Sequence, residues 1–183
     1  MVSPLRSPEL TKRARERLGP TLAAWGFRRT PKATPASWCR PEGDEWLVFW
    51  FQPSTSNGPE SAGFRFTLEF LLGSKPEIYG NGVRKRFPTL LTDEGREHLR
   101  RLENQTIARL PPPDPALLSI LDPTTRAHVL KGWQPRSTPY GVDEDVWMRQ
   151  INVVDVDALL NFILAELPGV LERFLAAARA GRV

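Results

Sequence analysis

The chain of 183 residues, 40% hydrophobic, 9% aromatic and 25% charged, has the length and composition of one folded domain spanning 1–183, which excludes wholesale disorder and is short for two independent cores. Its net charge of +4 is uneven, because residues 1–40 carry nine cations against Glu9 and Glu16 while the remainder is slightly acidic. No apolar run approaches the ~20 residues of a membrane span, Met1 to Ser7 lacks the apolar stretch of a secretory signal, and Cys39 is the only cysteine. A cytoplasmic protein is expected, with no membrane partner, no disulfide within the chain and no cysteine-based zinc site.

The first predicted element is a helix of about 19 residues, with Ser7 as N-cap, Pro8 at the first helical position and Glu9 beside the positive end of the dipole. Leu10, Ala14, Leu18, Leu22 and Trp25 recur at helical spacing and predict its packed stripe. Gly19-Pro20 is expected to kink or split the helix, and Gly26 to stop it. After an extended connector over 30–36, two strands are predicted, Ser37 to Arg40 and Trp46 to Gln52, joined by a turn at Pro41-Glu42-Gly43-Asp44. Cys39 reads as a half-buried strand residue. The second strand is apolar on both faces, so it is central and covered on each side, or else one face is a binding surface.

A Pro, Ser, Asn and Gly loop from Pro53 to Gly63 precedes a strand of strict alternation, Phe64 to Leu72, whose phenylalanines belong to the core. Residues 75–140 read as an irregular, partly helical insert. Within it Gly80-Asn81-Gly82 signals a turn, Arg84-Lys85-Arg86 a basic patch, Thr92 the cap of a helix through Glu103, Pro111 to Pro115 a polyproline II spacer, and Ala116 to Leu121 a short helix. A strand over Val146 to Asn152 and a long apolar-striped helix, capped by Asp155 or Asp157 and kinked at Pro168-Gly169, complete the chain. The sum is α+β: an antiparallel sheet of about four strands with the terminal helices packed against it.

Several of these stretches are similar to a known family. Leu18-Gly-Pro-Thr-Leu-Ala-Ala-Trp-Gly-Phe-Arg-Arg, the strand ending Trp50-Phe51-Gln52, the strand Phe64-Arg-Phe-Thr-Leu, the Trp147 strand and Glu166-Leu-Pro resemble the bacterial domain-of-unknown-function family numbered 4304. The resemblance touches both ends of the chain and leaves 74–140 unaligned. It implies a small α+β fold and, from members placed near toxin or immunity genes, a regulatory or neutralising role. It transfers no catalytic residue.

The sequence lacks the phosphate-binding, nucleophile-elbow and zinc-protease motifs, so no cofactor and no metal are expected. Only His98 and His128 would serve acid–base chemistry near neutral pH, which defines a remote alternative, a metal-independent nuclease. The acidic run Asp143-Glu144-Asp145 reads as a solvated loop. A nucleic-acid reading rests on the basic N-terminal region, where Trp25, Phe27, Arg28, Arg29, Trp38 and Arg40 interleave aromatic and cationic groups, and on Arg84, Lys85 and Arg86. The favoured reading is a non-catalytic protein-binding module with Trp46, Trp50 and Trp133 as candidate aromatic anchors and Arg28, Arg29, Arg84, Lys85 and Arg86 as its charged rim.

Overall fold

The computed structural model describes residues 5–30, 36–54 and 63–181; most of the predicted connector and of the loop before the third strand lies outside the described residues. The helices are α1 (Ser7–Ala24), α2 (Asp93–Ile107), α3 (Pro115–Ile120), α4 (Pro123–Lys131) and α5 (Val153–Ala180). The strands are β1 (Arg28–Arg29), β2 (Ser37–Glu42), β3 (Glu45–Pro53), β4 (Phe64–Gly73), β5 (Gly82–Arg86) and β6 (Met148–Gln150). All pairings are antiparallel, in the order β1-β2-β3-β4-β5, with β6 also on β4. The α+β architecture is as expected. The sheet has six strands rather than four, since β1 is only two residues long and the basic patch Arg84-Lys85-Arg86 is part of β5. Neither shows an apolar alternation, because both are edge strands held by backbone pairing.

The alternation of β3 and β4 divides the sheet into two faces. Leu47, Phe49 and Phe51 of β3 and Phe66, Leu68, Phe70 and Leu72 of β4 are all buried on the inner face. Against them pack Leu10, Ala14, Leu18 and Leu22 of α1 and the long stripe of α5 that includes Leu160, Ile163, Leu167 and Phe174. Phe70 bridges the layers, 5.3 Å from Phe49 and 5.5 Å from Phe174 between ring centroids. Edge-to-face and tilted contacts of this kind add to the area term.

Both long helices run through their prolines, so α1 is not split at Gly19-Pro20. Pro20 and Pro168 lie on exposed positions, so the carbonyl each leaves without a helical donor is on the wet side of its helix. Two caps also differ. Arg6 rather than Ser7 is the N-cap of α1, its backbone N–H donating to Glu9 Oε2 at 3.0 Å, and Asn152 rather than Asp155 or Asp157 caps α5 by accepting from Asp155 N at 3.0 Å. Gly26, at φ 80°, ends α1 as expected, with Phe27 N returning to Leu22 O at 2.9 Å.

β5 and β6 share the edge of β4 that faces away from β3, β5 taking Glu69 to Gly73 and β6 taking Phe64 to Phe66. At the hairpin end of β4 and β5, Gly73 and Gly82 lie directly opposite one another. A Cβ on Gly82 would stand 2.1 Å from Leu72 O, so this approach admits no side chain. Beyond β6, α2 closes the open edge: Glu103 Oε1 accepts the Arg149 backbone N–H. The 75–140 segment is thus less irregular than expected, since β5, α2 and the 3-10 turn Phe87–Leu90 belong to the body of the fold. Among the described residues, no helix is long and apolar enough to cross a membrane.

Candidate functional site

The outer face of the sheet gathers part of the candidate set. Cys39, Val48 and Leu71 form a buried row across β2, β3 and β4, covered by Ile78 and flanked by half-buried Trp46 and Trp50. Cys39 is fully buried rather than half-buried, and burial pushes its thiol up from its ordinary value against the pull of Arg28. The Arg28 guanidinium lies 5.1 Å from the Trp46 ring centroid, and Trp50 meets Tyr79 edge-on at 6.2 Å. Tyr79 is 80% exposed. On the same face Arg84 bonds Glu69, Ile78 O and Gly80 O, while Arg86 bonds Asp145 and lies 5.0 Å from the Trp147 ring. The period of two sends Arg29 and Lys85 to the other face, where Arg29 covers Trp38 at 5.4 Å. Trp133 is elsewhere.

The cations of the N-terminal region are largely spent on internal contacts. Arg13 forks onto Asp157 with bonds of 2.8 and 2.7 Å, and this hydrogen-bonded pairing holds the Asp157 carboxyl below its ordinary range. Arg17 bonds the Asn161 side chain. Arg40 donates to Trp25 O at 3.1 Å and Glu42 Oε2 at 3.2 Å, with its charge 4.9 Å from the Phe27 ring. These groups clamp α1 to α5 and to β2. The two histidines sit on different helices, His98 edge-on to Phe162 and His128 on the exposed α4. In the acidic run, Glu144 answers Arg136 and Asp145 answers Arg86. Among the described residues no group of three or more His, Cys, Asp or Glu is placed to hold a metal ion.

The feature the sequence did not announce is an arm. From Pro111 to Pro139 not one residue is buried, although the segment contains two capped helices. Asp114 accepts from Ala116 N at 2.9 Å and precedes Pro115; Asp122 accepts from Thr124 N at 3.0 Å and Thr125 N at 3.1 Å and precedes Pro123. The twice-repeated Asp-Pro, a cap followed by the one helical position that tolerates proline, was the available signal for both helices. Neither helix has more than marginal contact with another element among the described residues. Trp133 closes the base of the excursion, its indole N–H donating to Pro111 O at 2.8 Å. It is a tie rather than a core residue or a free anchor.

Below that tie the arm returns across α2 and the β6 edge. Asn104 exchanges two bonds with the backbone of Arg136, at 2.9 and 2.8 Å, and Arg100 Nη1 donates to the same carbonyl at 2.8 Å. Between the returning chain, α2 and the β4–β6 ladder is a cavity of about 420 Å³. Arg65, Glu103, Lys131, Arg136, Tyr140 and Arg149 are among its lining residues. Burial pushes the Glu103 carboxyl up despite three neighbouring arginines, and holds the Tyr140 phenol far above its ordinary value. No protein-family model, curated protein or solved structure matches the chain, so the resemblance to the 4304 family gains and loses nothing from them.

Proposed function

We propose that the chain is a non-catalytic partner-binding module in which the arm, residues 111–139, is the contact element for a second protein. The observation that carries this reading is an ordered segment without burial. Leu117, Leu118 and Ile120 sit on α3 and Val129 and Leu130 on α4, none of them buried, with Ile120 79% exposed. Helices this short are marginal alone, and apolar side chains held at a surface gain from being covered. The partner that fits is a protein with an apolar groove, since α3 carries Leu117 and Ile120 at helical spacing outside the core. The Trp50–Tyr79 pair on the outer face offers a second, smaller aromatic contact. A regulatory or neutralising role agrees with the family resemblance.

The test is capture from a lysate by the tagged protein, with and without nuclease, beside Ile120→Asp/Leu117→Asp. A specific protein retained after nuclease treatment and lost on the double substitution, at unchanged melting temperature, is the expected result. Equal capture by both proteins, or capture that nuclease abolishes, overturns the assignment of the arm. Ile120 is exposed and Leu117 half-buried outside the core, so an unchanged melting temperature separates a lost partner from a lost fold.

A further inference from the structure

The cavity beneath the arm is polar where a packing defect is apolar, and its arginines are largely answered from within the protein. Arg136 gives both Nη groups to Glu144, at 2.7 and 2.9 Å, and Arg149 Nη1 donates to Gly132 O. What stays open is two oxygens. Tyr140 is 8% exposed and lines the cavity, yet its hydroxyl forms no hydrogen bond within the protein among the described residues. Glu103, 3% exposed, accepts the Arg149 backbone N–H through Oε1, while its Oε2 stands 3.8 Å from Arg149 Nε, beyond hydrogen-bond reach. Buried polar groups are as a rule hydrogen-bonded, so an unmet phenol and an unmet carboxylate oxygen lining one cavity mark the place of an absent partner. The volume of about 420 Å³ is many times the ~30 Å³ share of a single water, so one bridging water does not fill it.

We propose that this cavity binds a small neutral polyhydroxylated molecule, a monosaccharide or polyol, one hydroxyl of which donates to Glu103 Oε2 and accepts from the Tyr140 hydroxyl. A hydroxyl is the group that does both at a single oxygen. The mixed lining disfavours ionic ligands, because an anion meets Glu103 and Glu144 and a cation meets Arg136 and Arg149. Burial, and after it the charge of Glu103, holds the Tyr140 phenol protonated, so it is a donor near neutral pH. The Arg136 guanidinium lies 4.2 Å from the Tyr140 ring centroid and is itself held by Glu144, which positions the ring before a ligand arrives. Exposed Gln134, Ser137 and Thr138 supply further neutral donors and acceptors, and Ile107 and Trp147 give an apolar wall for the carbon skeleton. A few fixed polar groups set among apolar ones, in a volume of this size, is how small-molecule sites are built. The site is independent of what the arm binds.

The experiment is an NMR titration of the full chain with glucose, mannose, galactose and ribose, and in parallel with inorganic phosphate and guanidinium at matched ionic strength. Saturable shifts of the Tyr140 ring and Trp147 indole N–H signals are expected with at least one sugar, with a midpoint between ~1 and ~50 mM. Tyr140→Phe removes one oxygen and keeps the ring under Arg136. It should weaken that sugar by about tenfold, the equivalent of one hydrogen bond, and leave the melting temperature unchanged, because the hydroxyl makes no bond inside the protein. Four sugars that leave both signals unmoved overturn the proposal. So does binding that Tyr140→Phe does not weaken, and so does a melting temperature that falls with Tyr140→Phe, which would give the hydroxyl a partner in the protein. Phosphate or guanidinium moving the same signals at lower concentration than the sugars overturns the neutral assignment.

Discussion

The body of the sheet and its two terminal helices is held by burial, whereas the arm is held by caps and ties. In the body the long strands β3 and β4 and the helices α1 and α5 present buried stripes to one another, and α1 and α5 together close the inner face over a phenylalanine ladder. In the arm, order comes from local hydrogen bonds: two aspartate caps, the Trp133–Pro111 tie and the Asn104 clasp on Arg136. Burial is shared by the whole fold and therefore cooperative, while a cap stabilises one turn. The arm should open locally without the body noticing.

The sharpest test of that contrast is Phe70→Ala. Phe70 is fully buried and joins Phe49 to Phe174 across the sheet–helix interface, so truncation leaves a cavity that neither layer can fill. A loss of about 3–5 kcal/mol is expected in denaturant unfolding, against essentially none for Ile120→Asp. Comparable losses for the two would mean that the arm is part of the cooperative unit.

How far the sequence disclosed each region follows from the same physics. Burial writes a period into the chain, and so the alternation of Phe64 to Leu72 and the stripe of α5 were legible as core. Register was not: nothing in Arg84-Lys85-Arg86 distinguishes a basic loop from an edge strand whose stability comes from pairing with Glu69 to Leu71. Nor were the roles of the tryptophans legible, because Trp46 and Trp50 are each half core and half surface, and Trp133 acts through its N–H. The cavity draws Arg65, Glu103, Arg136 and Arg149 from four separate elements or loops, a convergence that only the tertiary pairing of β6 with β4 produces. The arm was partly visible as a short helix, and its second helix was missed because α4 has no apolar stripe to betray it.

A smaller effect separates the regions by their caps. Thr92 caps α2 by accepting from Gly95 N at 3.1 Å, and α2 buries Leu99 and Glu103 against the body. Thr92→Ala should therefore lower global stability by about 1 kcal/mol. Asp122→Ala removes an equivalent bond from α4 and should leave the global transition in place, raising only the hydrogen-exchange rates of Thr124 to Val129 amides. A shift of the global midpoint with Asp122→Ala would contradict the local character of the arm.

The smallest effect is in acid, where the two regions carry carboxylates displaced in the same direction. Asp157 is held below its ordinary value by the Arg13 side chain, and Asp122 by the hydroxyl and backbone donors of Thr125. A carboxyl whose folded value is depressed contributes stability that is fully present above the unfolded value, near 3.8, and is lost as pH falls through the folded one. The Arg13–Asp157 pair joins α1 to α5 within the cooperative body, so its contribution belongs to global unfolding. Both partners are about a third exposed, which keeps it small. Asp157→Asn should consequently destabilise modestly near neutrality, with the difference from wild type shrinking below about pH 4, and should flatten the acid slope of the unfolding free energy. Asp122→Asn carries the same sign of titration but reports it only in the exchange of α4 amides, leaving the global acid slope as it was. Parallel slopes for wild type and Asp157→Asn would show that the Arg13–Asp157 pair adds nothing to the union of α1 with α5.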